Sequence, residues 1–170
     1  YIEIWNLVFM QYEKKNNEFF KLPIKCVDTG MGLERLTSVL NGYVNNYDIN
    51  IFKDIISSIE KLTQKKATNE NKISFRVISD HIRSIIFLIA EGILPSNEGR
   101  GYVLRRIIRR ASRHLSFIGY EKPLLYKLAD IFCENYKETY TELALQKKIV
   151  IENLRLEEEK FLETLKSGLK

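Results

Sequence analysis

Two groups of residues carry side chains and spacings that could do chemistry. The first is Asp28-Thr29-Gly30-Met31-Gly32-Leu33-Glu34-Arg35, which sets an acid, two glycines and an arginine side by side. Glycines between a strand and a helix let a ligand approach the backbone, and a new helix offers unpaired N–H groups to an anion. Asp28 could pair with an ammonium group; Arg35, one turn inside the helix, could stack on a base or reach a phosphate. The stretch lacks the third glycine of a dinucleotide fingerprint and the Gly-Lys-Ser/Thr of a P-loop, which disfavours both of those folds. The second group is a run of arginines. Residues 99–120 hold Arg100, Arg105, Arg106, Arg109, Arg110 and Arg113, with no lysine and no acid. On a helical wheel with Arg105 at the origin, Arg109, Arg113, Arg106 and Arg110 fall at about 40°, 80°, 100° and 140°, and Leu104, Ile107, Ile108, Ala111 and Leu115 between about 200° and 300°. One side docks and the other presents guanidiniums. Charges so placed repel one another, and the planar guanidinium suits bidentate contact with phosphate, so a nucleic-acid backbone is the expected partner. The alternative is a solvated face paired with carboxylates such as those of Glu157-Glu158-Glu159.

Positioning these groups requires strands first and helices afterwards. From Ile2 to Tyr12 apolar residues occupy both alternating faces (Ile4, Val8 and Met10 against Trp5, Leu7 and Phe9), the pattern of a strand covered on both sides. The polar stretch Glu13 to Glu18 is expected to turn the chain, and Phe19 to Val27 to return antiparallel, with Pro23 tolerated near an edge or bulge. The glycine stretch then ends the strand and opens a helix bearing Leu33, Leu36, Val39 and Leu40, closed by Asn41-Gly42. Everything beyond reads as helix. Asp48 is expected to cap a helix carrying Ile49, Phe52, Ile55, Ile56, Ile59 and Leu62, and Lys65 to Lys72 to form a loop. A helix with Ile78, Ile82, Ile85, Ile86 and Ile89 ends at Gly92, before the turn Pro95-Ser96-Asn97-Glu98-Gly99 and the arginine helix. A helix near Leu124 to Tyr136 follows, then a long one from about Thr141 with an apolar stripe of Leu143, Val150, Leu154, Phe161 and Leu165. The fold class is therefore α+β, mostly α, in two domains: strands and first helix at 1–42, helices at 43–170. Two strands cannot stand alone, so the rest of their sheet is expected upstream, and a chain opening inside an apolar stretch reads as a piece of something longer.

Composition bounds the rest. The net charge of +5 is smaller than the number of arginines at 99–120, so the whole excess lies there. Cys26 and Cys133 have no close partner and His81 and His114 add no ligand pair, so no metal site is expected and the thiols read as reduced in a cytoplasmic protein. His81 reads as a helix-face histidine and His114 as part of the basic strip; Asp80 and Arg83 are spaced for an intrahelical ion pair. The longest apolar run, Ile85 to Ala90, is far too short for a membrane span. A DNA-reading helix fits poorly, because bases would meet a face made almost wholly of arginine.

Val27-Asp28-Thr29-Gly30-Met31-Gly32-Leu33-Glu34-Arg35-Leu36 resembles motif 3 of the class II aminoacyl-tRNA synthetases. WNLVFMQ at 5–11, NNYDINIF at 45–52, SDHIRS at 79–84 and PSNEGRGYVLRRIIRR at 95–110 resemble the alanyl-tRNA synthetases within that class. The resemblance implies an ATP-dependent ligase that makes alanyl-adenylate and passes alanine to the 3′ end of its tRNA, with ATP and Mg2+ bound by the whole enzyme. It implies that Asp28 holds the alanine ammonium, Asn6 sits beside the amino acid, Gly30 and Gly32 keep the pocket floor open and Arg35 stacks on adenine. It further implies terminal antiparallel strands of a class II sheet, then a helical domain that binds the tRNA acceptor stem, in which Asn97 helps read a G·U wobble pair. An exposed amide both donates and accepts, and the guanine exocyclic amine is the partner expected for it. Motifs 1 and 2, the zinc-bearing editing domain and the oligomerisation region have no counterpart here, so this segment alone is expected to be inactive. A non-catalytic helical RNA-binding module is the alternative reading.

Overall fold

The computed structural model describes residues 2–168 and divides into two compact units, 1–49 and 50–170. In the first, strand β1 (Trp5–Lys15) pairs antiparallel with β2 (Glu18–Met31), followed by helix α1 (Leu33–Leu40) and a short 3-10 turn at Asn46–Asp48. The turn between the strands is tighter than the polar stretch suggests. β1 continues to Lys15, opposite Glu18, and only Asn16 and Asn17 make the loop, with φ of 48° and 69°. Two left-handed residues give the twist a two-residue hairpin needs, and asparagine tolerates that region. The ladder is regular from Trp5↔Met31 to Met10↔Cys26, then shifts register between Met10 and Tyr12. Pro23 lies in that irregular stretch of β2, where its missing N–H breaks no ladder bond.

β2 runs through Gly30, so the glycine stretch belongs to the ladder instead of leaving it, and α1 starts only at Leu33. α1 ends as its sequence predicts: Gly42 takes φ +68°, and the Gly42 and Tyr43 N–H groups bond back to the Val39 and Ser38 carbonyls. Both faces of the hairpin are open, with Trp5 58%, Phe9 70% and Phe19 72% exposed.

The second unit is all helix: α2 (Asn50–Thr63), α3 (Lys72–Ala90), α4 (Gly99–Phe117), α5 (Leu125–Tyr136) and α6 (Thr141–Gly168). Asp48 lies in the 3-10 turn that precedes α2, and that turn's own cap is Asn45, accepting from the Tyr47 N–H. α3 sits at the centre, packed by the other four helices of the unit. Its buried face is Phe75, Ile78, Ile82, Ile85, Ile86 and Ile89. Full burial of each such side chain contributes about 2 kcal/mol, and α3 places more buried apolar side chains in the core than any other helix of the unit. α4 docks through Leu104, Ile108, Ala111 and Leu115, and α6 through Leu143, Val150 and Leu154. No described helix is long and apolar enough to cross a membrane.

Candidate functional site

In the first unit the register decides which side chains share a face. Asn6 stands opposite Gly30 and Val8 opposite Asp28, so Asn6, Asp28 and Gly30 lie on one face of the hairpin. The other face carries Trp5, Leu7 and Thr29, where the Trp5 ring N–H donates to Thr29 Oγ1 at 2.6 Å and that hydroxyl donates to the Asn6 carbonyl at 3.0 Å. This pair braces the ladder behind Asn6. One Asp28 oxygen accepts the Thr29 N–H at 2.9 Å, and the other has no hydrogen-bond partner among the described residues. A Cβ built on Gly30 meets nothing within 4 Å, and its φ lies outside the left-handed range, so neither packing nor backbone within this chain demands glycine there. What glycine supplies at 30 is open floor between an amide and a carboxylate. Arg35 folds back across the start of α1: its Nη1 donates to the Glu3 carbonyl at 2.6 Å, beside the Gly32 N–H to Ile4 carbonyl bond at 3.1 Å. A Cβ on Gly32 would lie in ordinary van der Waals contact with the Arg35 side chain, at 3.4–3.5 Å, so that path does not itself demand glycine.

In the second unit the turn before α4 is locked onto the helix it introduces. The Ser96 N–H donates to the Gly101 carbonyl at 3.2 Å and Ser96 Oγ to the Glu98 carbonyl at 2.8 Å. A Cβ on Gly101 would lie 2.3 Å from both the Leu94 carbonyl and Ser96 Oγ, so only glycine lets the turn lie this close. Gly99 begins the helix with φ +58°. The arginine face is narrower than the wheel implies. Arg100, Arg106, Arg110 and Arg113 are exposed, whereas Arg105 and Arg109 are half-buried. Arg109 Nε donates to Glu157 Oε1 at 2.8 Å and its guanidinium lies over the Phe161 ring, which ties α4 to α6. Arg105 Nη1 donates to Asn97 Oδ1. The exposed strip interleaves aromatics with arginines: Arg106 lies over Tyr102 and Arg113 over Phe117. Among the described residues, Arg106, Arg110 and Arg113 have no carboxylate in ion-pair contact.

The histidines sit under this strip. His114 Nδ1 lies 3.0 Å from Ser74 Oγ, and burial, reinforced by the Arg110 charge, holds its pKa below the usual histidine value. His81 Nδ1 is 3.1 Å from Asp80 Oδ2, a bond that holds the Asp80 carboxyl below its ordinary range. The Asp80 carboxylate bonds to His81 and also feels the Arg83 charge, while the Arg83 guanidinium lies over the Phe52 ring. His81, Val103, Arg106, Arg109 and Arg110 line one shallow cleft.

The Glu157-Glu158-Glu159 run, a single acidic patch in sequence, has three separate uses. Glu157 holds Arg109, Glu159 holds Arg155 at 2.8 Å, and Glu158 accepts the N–H groups of Leu124, Leu125 and Tyr126 at 3.0, 2.9 and 3.2 Å. The last arrangement caps the first turn of α5 from α6. Burial pushes the Glu158 carboxyl up to about 7 despite those donors. Neither the cap nor the Arg105–Asn97 pair is visible in sequence. The eight-residue step from Asn97 to Arg105 is near two helical turns, but the non-helical turn between them hides it.

The sequence profile described as tRNA synthetases class II (A) matches residues 1–170, the whole chain. The chain belongs to the class II tRNA synthetases. This synthetase segment is 52% identical over 171 residues to the alanine–tRNA ligase of Rickettsia prowazekii, 52% to that of Rickettsia typhi and 51% over 170 residues to that of Sinorhizobium medicae. Each match covers 99% or more of this chain and 19–20% of the relative, so the segment spans about a fifth of the length of the curated relatives it matches.

Proposed function

We propose that the segment serves an alanine–tRNA ligase, an ATP-dependent enzyme that activates alanine as an adenylate and transfers it to the 3′ end of its tRNA. The hairpin and α1 would supply part of the ATP and alanine site, and α2 to α6 the binding of the acceptor stem. The observation that carries this reading is the shared face of Asn6, Asp28 and Gly30, where a carboxylate stands beside an amide and an unfilled glycine position. A small amino acid fits such a place: its ammonium takes Asp28, its polar groups take Asn6, and Gly30 leaves space for its bulk. Gly32 and Arg35 follow at the start of α1, where the guanidinium offers a flat face to an adenine ring. The Mg2+ that accompanies ATP would take ligands mainly from the nucleotide phosphates, with one or two carboxylates of the whole enzyme. On the helical unit, Arg100, Arg106, Arg110 and Arg113 would contact phosphates, with Asn97 at the edge of the strip as the base reader. The relatives named as alanine–tRNA ligases support the choice of amino acid.

The test uses the complete polypeptide encoded by the gene. Asp28→Ala is expected to abolish alanine-dependent exchange of pyrophosphate into ATP, because the ammonium loses its counter-charge. Exchange at the wild-type rate would refute the amino-acid site; absence of exchange in the wild-type polypeptide would favour the non-catalytic RNA-binding module.

A further inference from the structure

We propose that Arg105 fixes the chemical sense of the Asn97 amide, so that the turn presents a hydrogen-bond donor to the minor-groove edge of the stem, an inference that rests on the acceptor-stem reading above. An asparagine amide carries an acceptor oxygen and two N–H donors, and a flip about its last torsion exchanges them. A free surface asparagine therefore offers both. Here Arg105 Nη1 donates to Oδ1, and the inverted amide would set N–H against N–H beside a full positive charge. That makes one orientation strongly preferred.

The frame around the pair holds it. Asn97 sits between Ser96, bonded to the Gly101 and Glu98 carbonyls, and Gly99 at the start of α4, and Gly101 lets the turn close down on the helix. Arg105 is half-buried on that helix, eight residues on. The Nδ2 group is left with no acceptor among the described residues, at an exposed turn beside the arginine strip. It is the part of the amide available to a ligand.

The minor groove offers such a donor purine N3 and pyrimidine O2, both acceptors, whereas the guanine 2-amine is itself a donor. The wobble shift displaces the pyrimidine relative to its Watson–Crick position, so a donor held in one place distinguishes G·U from G·C by where O2 lies. The guanine amine then needs an acceptor other than Asn97, contrary to the partner that the amide's dual character suggests in sequence. Arg105 is thus a positioning residue, acting on the base pair through Asn97.

The experiment measures kcat/KM for aminoacylation of acceptor stems with G·U, G·C and inosine·U at the recognised pair, using the complete polypeptide. Asn97→Ala and Arg105→Met are each expected to lower the preference for G·U over G·C about tenfold, the scale of one good base contact. The double variant should lose no more than either alone. Asn97→Asp, which keeps an acceptor for Arg105 but has no donor, should lose as much as Asn97→Ala. On inosine·U, which lacks the 2-amine, Asn97→Ala should cost the same factor as on G·U. An Arg105→Met that weakens all stems equally, additively with Asn97→Ala, would make Arg105 a phosphate anchor and overturn the proposal. So would an Asn97→Asp that keeps its preference, or an Asn97→Ala effect that vanishes on inosine·U. Unchanged preference in Asn97→Ala would instead overturn the acceptor-stem reading beneath it.

Discussion

Single atoms decide more here than residue types do. At Gly101 one added carbon would sit 2.3 Å from a carbonyl oxygen and a hydroxyl, and the carbonyl belongs to backbone that cannot swing aside. Gly101→Ala is therefore expected to destabilise the helical unit by about 1–3 kcal/mol, the usual cost of overpacking, read as a lowered denaturation midpoint at constant m-value. Gly30→Ala, by contrast, meets nothing within the chain and should leave that midpoint unmoved or slightly raised, because alanine narrows the unfolded ensemble; an equal loss at both positions would show that the contacts at Gly101 are not the cause. The same reasoning separates the arginines. Arg109 is held against Glu157 and Phe161, so its charge belongs to the fold, while Arg106, Arg110 and Arg113 face outward.

Between helices, the Glu158 cap is the joint whose chemistry depends most on conditions. Its carboxyl is 1% exposed and binds three N–H groups at the start of α5. With burial raising its pKa from 4.5 to about 7, the folded state holds a proton that the unfolded state has released in that interval. The unfolded state binding fewer protons, stability contributed by this group is full below pH 4.5, falls as pH rises towards 7, and is flat above it. Glu158→Gln is expected to remove that slope, seen as unfolding free energy measured across pH 4.5–7.5; a slope identical to wild type would assign the dependence to another group. Glu158→Ala should cost about 1–3 kcal/mol per orphaned donor and speed hydrogen exchange at Leu124, Leu125 and Tyr126. The contrast between these joints and the elements they join explains what the sequence reveals. α3, α4 and the α1 C-cap are legible because their signals are local: isoleucines at helical spacing and an Asn-Gly stop. The Asn16–Asn17 loop was hidden inside a longer polar stretch, and the uses of Glu157 and Glu158 depend on helices 32 to 48 residues away in the chain, whereas the Glu159–Arg155 pair is local to α6. For the hairpin face, alternation predicts which residues could align but not that Asn6 meets Gly30, since a one-residue slip would reverse the faces.

Taken whole, the molecule carries an excess charge of +5 that falls on one helix, yet two of that helix's arginines are already engaged within the fold. Arg109 is neutralised by Glu157 while Arg105 keeps its charge beside a neutral amide, so direct phosphate contacts would fall mainly to the outward set. Replacing Arg106, Arg110 and Arg113 together with Gln is expected to flatten the dependence of log K on log salt for acceptor-stem RNA by up to about one unit per lost contact. Weakening should be uniform across stem sequences, as measured by titrations at several salt concentrations. An unchanged slope with the helical content intact would make the strip a solvated face.

The two cysteines give the chain an asymmetric reactivity. Cys133 is sealed in the helical unit, where burial pushes its thiol up to about 11, while Cys26 is exposed on β2. Only the thiolate attacks an electrophile, so under mild alkylation a maleimide dye would mark Cys26 alone. Cys26 pairs with Met10 and lies on the same face as Asp28 and Asn6, two residues along the strand from the carboxylate. Within this segment Cys26 is thus an attachment point for a fluorescent reporter, on the hairpin face proposed to receive an amino acid.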